Sequence, residues 1–209
     1  MTKKSRKLIL VRSDLLEQAA KITAKEGRTL FSFTNDIFEQ AIKAYEMSVT
    51  LAEALEFYRM ITIGKHVGYA VIPQEIFRHM TKKLCTVERE ELLKKWHESG
   101  FWSGSYLKVK FKNNFLETVR KFLKAVLWNL DEISINITQD KIYVKCFSPN
   151  ISLECTEMIS KFIEGIFNSF GYVVEHNSCL RGIIAMKLKP KEKDTKDTKE
   201  TKLFIDIEN

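Results

Sequence analysis

The chain has 209 residues, 44% of them hydrophobic and 29% charged, with a formal net charge of +7. That is enough apolar material for one good core or two small ones, and no apolar run approaches the roughly 18 residues a bilayer-crossing helix requires. The four cysteines (Cys85, Cys146, Cys155 and Cys179) form no CxxC pair and have no His at zinc-ligand spacing, so they read as reduced, small core hydrophobes.

The charge is concentrated at the start. Lys3, Lys4, Arg6, Lys7 and Arg12 meet no acidic residue before Asp14. The apolar run there, Leu8–Val11, is too short for a signal peptide, which sets the expectation of a cytoplasmic protein. Leu8-Ile9-Leu10-Val11-Arg12 is β-prone, and Ser13-Asp14 offers oxygens to cap a following helix. Leu15, Leu16, Ala19, Ala20, Ile22 and Thr23 then recur at helical spacing. Gly27 is placed to stop that helix in the left-handed conformation. Thr29 can cap a second, with Phe33, Ile37, Phe38, Ala41, Ile42 and Tyr45 on one face. A lone strand leaves both backbone ladders unpaired and two short helices bury little, so the expected remedy is a second copy of the chain.

This order over Lys7–Ser48, with the KEGRT turn at Lys25–Thr29, resembles the ribbon-helix-helix family of DNA-binding regulators. The resemblance implies a homodimer whose two-stranded ribbon enters the major groove, while the second helix's start holds a phosphate. Carried onto this sequence, the implied DNA contacts are Lys3, Lys4, Arg6, Lys7, Leu8, Leu10 and Arg12, with Arg28, Thr29 and the amides of Leu30 and Phe31 at the phosphate. The implied register turns Ile9 and Val11 inward and Arg6, Leu8, Leu10 and Arg12 outward. Two of those four outward residues are leucines, which can touch a thymine methyl but donate no hydrogen bond. The alternative is a ribbon used only for dimerisation, in a small-molecule-binding or antitoxin-like protein-interaction protein.

Residues 49–100 read as a helical connector. Thr50 caps a helix from Leu51 to about Lys65 that Gly64 and Gly68 loosen; Pro73 opens a helix to Lys83; Thr86 caps another to about Glu98. Ser99–Ser105, with two glycines and three serines, reads as a boundary loop in which Phe101 and Trp102 either anchor the two halves or line a pocket mouth. Beyond it, Tyr106–Lys112 alternates like a half-buried strand with a basic outer face. Asn114 caps a helix to Leu130; Ile133–Ile137 and Lys141–Phe147 form a hairpin; Ser152 starts a helix that Gly171 ends; Tyr172–Glu175 and Gly182–Leu188 make a last pair of strands.

The expected fold class is therefore α+β: an N-terminal ribbon-helix-helix-like dimerisation module (residues 1–48), the connector (49–100), and a C-terminal two-layer α/β sandwich with an antiparallel sheet in the order β-α-β-β-α-β-β (101–189). A charged tail follows (190–209), ending in the apolar Leu203–Ile207, which could add a strand to a sheet edge. Phe162–Phe167, Gly171-Tyr172 and Cys179-Leu180-Arg181-Gly182 also resemble the end of four-vinyl-reductase-type small-molecule-binding domains. That implies an effector, although Ile184, Ala185 and Met186 stand where the family has a further cysteine.

No phosphate-binding glycine loop, dinucleotide fingerprint or HExxH occurs, and His66, His79, His97 and His176 are isolated. The chain is thus expected to be a non-enzymatic DNA-binding regulator without a cofactor. Its expected partners are DNA, itself, and an effector or protein at the C-terminal domain, with no membrane.

Overall fold

The computed structural model describes residues 7–111 and 114–191. The chain divides into two compact units, Met1–Tyr58 and Arg59–Asn209, the division falling inside a helix.

In the first unit, α1 (Ser13–Glu26) and α2 (Leu30–Glu46) are separated by the expected turn. Gly27 takes φ +66° and ψ +26°, and the Arg28 N–H donates to the Thr23 carbonyl at 3.1 Å. Thr29 caps α2 by accepting from the Ser32 N–H at 3.2 Å. The start of α1 differs from expectation. Arg12, not Ser13, is the capping position and makes no side-chain cap, because a guanidinium has no acceptor for a helix N–H; it donates instead to Asp14, two residues on. Residues 7–12 form no ladder within the single chain. The unit closes with the start of α3 (Leu51–His66), where Thr50 and Glu53 cap each other reciprocally: the Glu53 N–H donates to Thr50 Oγ1 at 3.2 Å, and the Thr50 N–H to Glu53 Oε2 at 2.7 Å.

The second unit holds the rest of α3, then α4 (Gln74–Val87), α5 (Arg89–Lys110), α6 (Phe115–Val126), β1 (Glu132–Thr138), β2 (Lys141–Phe147), α7 (Leu153–Ser169), β3 (Tyr172–Leu180) and β4 (Ile183–Pro190). All strands are antiparallel to their neighbours, in the order β1-β2-β4-β3. The β2-α7-β3 connection therefore straddles β4, a split β-α-β arrangement. Both hairpins use backbone conformations that favour particular residues: Gln139 and Asp140 have φ of 50° and 61°, and Gly182 has φ +73°. The α+β class and the antiparallel sheet stand.

Strand alternation selects the buried face. Ile142, Val144 and Cys146 of β2 and Ile184, Met186 and Leu188 of β4 point at the helices, while Lys141, Tyr143, Lys145 and Lys187 point away. The matching stripes come from α6 (Val119, Phe122, Leu123) and from α7 (Met158, Ile159, Phe162, Ile163, Ile166, Phe167). Fully burying side chains of this size stabilises by about 1.5–3 kcal/mol each before chain entropy is charged against it.

Three expectations fail around residue 100. Ser99–Ser105 is not a loop and Tyr106–Lys112 is not a strand: α5 runs unbroken from Arg89 to Lys110. Nor does Thr86 cap a helix, since it lies within α4 and donates back to the Lys83 carbonyl at 2.6 Å. The reason is a close crossing of α5 on α7. A Cβ at Gly100 would land on the Phe162 carbonyl oxygen, one at Gly104 on Ser169 Oγ, and one at Gly165 on the His97 carbonyl oxygen. The small residues that read as a loop let two helix backbones touch. Consequently the C-terminal order lacks its expected first strand. Gly64, expected to loosen α3, is instead buried in it, with Tyr69 and Val126 each 3.4 Å from its missing Cβ. Asn114 sits in the left-handed region and makes no side-chain cap. β3 is longer than expected, running through His176–Leu180 with a bulge between Val174 and His176.

Candidate nucleic-acid interface

The segment before α1 shows the alternation expected of a ribbon strand. Leu8 and Leu10 are each 94% exposed, whereas Ile9 is 59% and Val11 49% exposed. Lys7 is exposed; Lys3, Lys4 and Arg6 lie outside the described residues. Arg12 is paired with Asp14, whose carboxyl it holds below the usual carboxylate range. Both partners are largely exposed, so the pair is weak.

At the other end of α1 the geometry is more closed. Arg28 Nη1 lies 2.7 Å from Asp36 Oδ2, Nε lies 2.7 Å from Glu26 Oε2 without the alignment of a hydrogen bond, and the guanidinium stacks 4.7 Å above the Phe33 ring centroid. Arg28 braces the turn rather than projecting from it. Thr29 is exposed at the start of α2, with Leu30 half-buried beside it, and the 17-residue helix points the positive end of its dipole there.

The first unit buries almost nothing. Only Thr23 and Ala44 are fully buried in α1 and α2. Leu15, Leu16, Ile22, Ile37, Phe38 and Ile42 all stay more than two-fifths exposed. Two amphipathic helices with their apolar faces open to water are an incomplete core.

In the second unit, Phe101 and Trp102 stand on the exposed side of α5, and Leu203–Ile207 lie outside the described residues. Cys179 lies in β3 and packs toward the core, and burial raises its thiol pKa, with the Glu157 charge adding a smaller push. Cys146 is pushed up to about 12 by burial alone. Among the described residues no three His, Cys, Asp or Glu side chains come together as a metal site, and no helix is long and apolar enough to cross a membrane. Sequence reading missed the open face of the sheet, where two shallow concavities lie side by side. One, of about 320 Å³, is lined by Asn136, Thr138, Tyr143 and Lys145; the other, of about 270 Å³, includes Ser134, Lys145, Phe147 and Ile183. The signal was present in the alternation of β2, whose outward residues read Lys, Tyr, Lys, Phe.

No protein-family model matches the chain, and no curated protein matches it. A solved structure described as "Probing the function of heme distortion in the H-NOX family" is similar over 64% of this chain and 84% of its own, at 15% identity and a TM-score of 0.38, too loose a likeness to bear on fold or function.

Proposed function

We propose that the protein is a dimeric DNA-binding regulator whose first unit pairs with that of a second copy and presents the Lys7–Arg12 segments to the major groove. The observation that carries this reading is the unfinished first unit: among the described residues, a strand-like segment with alternating exposure leads into two helices whose apolar faces stay about half exposed. Pairing two copies fills both needs at once, giving the strand its ladder and the helices their core. The basic run before residue 13 then appears twice on one surface, where it neutralises phosphates. The second unit would bind an effector or partner.

The exposed Leu8 and Leu10 favour a second reading, in which the ribbon only dimerises. Fluorescence anisotropy of labelled duplex DNA separates the two. The regulator reading expects binding that weakens steeply with salt, and a Lys7→Glu/Arg12→Glu variant that binds more weakly with a shallower slope of log affinity against log salt. Full-length protein that leaves duplex DNA unbound at low salt would leave only the dimerisation reading.

A further inference from the structure

We propose that the open face of the four-stranded sheet binds single-stranded nucleic acid, at a site separate from the N-terminal segment. The pairing register sets this face residue by residue. Asn136, Tyr143, Lys187 and His176 lie in one row across the four strands, and Ser134, Lys145, Ala185 and Ser178 in the next. Lys141, opposite Thr138, and Lys189, opposite Val173, lie toward one end of the sheet, while Phe147, Ile183 and Leu180 make an apolar row at the other.

Three features of the face fit a single strand. First, it is open to solvent, offering open concavities in place of an enclosed cavity. Second, it is net basic. Lys141, Lys145, Lys187 and Lys189 face Glu132 and Glu175, and Glu175 is already engaged by Lys141 at 3.0 Å and Lys187 at 2.8 Å. Lys145, in the middle, has no ion pair among the described residues. Third, Tyr143, Lys145 and Phe147 follow one another along β2 in steps of about 6.8 Å, roughly twice the 3.4 Å rise of a stacked strand. A strand that has unstacked can lay bases on Tyr143 and Phe147 with a phosphate at Lys145, while Ser134, Asn136 and Ser178 meet base edges. The bulge at Glu175 contributes too, because it turns both Glu175 and His176 to this face and so fixes Lys187 beside the Tyr143 ring, 5.9 Å from its centroid. A duplex cannot use the aromatic rings, since its bases are already stacked.

The test is anisotropy of labelled oligo(dT) and oligo(U) with the full-length protein, over a salt series, for wild type, Tyr143→Ala, Lys145→Glu and Lys7→Glu/Arg12→Glu. The proposal expects at least one oligonucleotide to bind, Tyr143→Ala to weaken it by about fivefold or more, and Lys145→Glu to weaken it and flatten the salt slope, with circular dichroism unchanged. Preference for oligo(dT) or oligo(U) identifies the natural strand as DNA or RNA. Binding by the N-terminal variant should keep its sensitivity to Tyr143→Ala, because base stacking is supplied by the sheet and not by the N-terminal segment. No binding at low salt, binding untouched by both sheet variants, binding lost only in the N-terminal variant, or equal competition by polyglutamate would each overturn the proposal.

Discussion

Two glycines perform opposite tasks, and their alanine variants should separate them. Gly27 needs only its conformation: φ is +66° and no atom lies within 4 Å of where a Cβ would sit. Gly27→Ala should therefore cost about 1–2 kcal/mol through backbone strain alone. Gly100 is helical, so alanine would gain roughly 0.5–1 kcal/mol of helix propensity, yet its Cβ would strike the Phe162 carbonyl. Gly100→Ala should be net destabilising by about 1–3 kcal/mol as α5 and α7 are pushed apart. Urea unfolding of both variants checks the pair; a stabilised Gly100→Ala would show that the helix crossing is looser than the structure has it. Glu175 adds a pH signature. Lys187 and then Lys141 hold its carboxyl down at about 2, whereas an unfolded glutamate titrates near 4.3. A depressed pKa contributes stability above the unfolded value that disappears as pH falls through the folded one. The stability gap between wild type and Glu175→Gln should thus be full above about pH 5 and shrink between about pH 4.5 and 2. A gap that is flat with pH would mean that the lysines do not hold Glu175 in solution.

The elements differ in how legible they are, and the reason is where their stabilisation comes from. The α1 turn, the α2 cap, the β1–β2 hairpin and the Ser152 cap of α7, where Ser152 Oγ accepts from the Cys155 N–H at 3.3 Å, are local devices, and local sequence states them. The capping box at α3 belongs with them. Thr50→Ala should lower stability by about 0.5–2 kcal/mol, read by thermal unfolding followed by circular dichroism, and an unchanged midpoint would mean that α3 does not need its cap. α5 was illegible because its stabilisation is tertiary. Gly100 and Gly104 read as loop from composition, but only the facing stretch of α7 at Phe162, Ile166 and Ser169 explains them, and it lies far away in sequence. Ser103 is buried without penalty because its hydroxyl donates to the Ser99 carbonyl and meets Tyr69 Oη, each at 2.8 Å. The alternation of Tyr106–Phe111 also misled: on a helix, residues two apart lie on opposite sides, and Leu107 is buried while Val109 is 81% exposed.

At the scale of the molecule, the two units are unequally finished. The second has a continuous core of Phe122, Phe162, Ile163, Phe167 and their neighbours, sealed by antiparallel strands. The first has amphipathic helices and a strand-like segment, and among its described residues α1 and α2 bury only Thr23 and Ala44. The candidate DNA-contacting residues were legible as a basic run, whereas the sheet face was legible only after pairing fixed which side chains share a row. Sedimentation equilibrium measures directly whether the first unit is half of a two-chain structure. The expected result is a mass of twice the 24.4 kDa chain, falling to one chain in an Ile9→Asp/Val11→Asp variant whose second unit keeps its helix and strand content. Wild-type protein sedimenting as a 24.4 kDa monomer at micromolar concentration would contradict it.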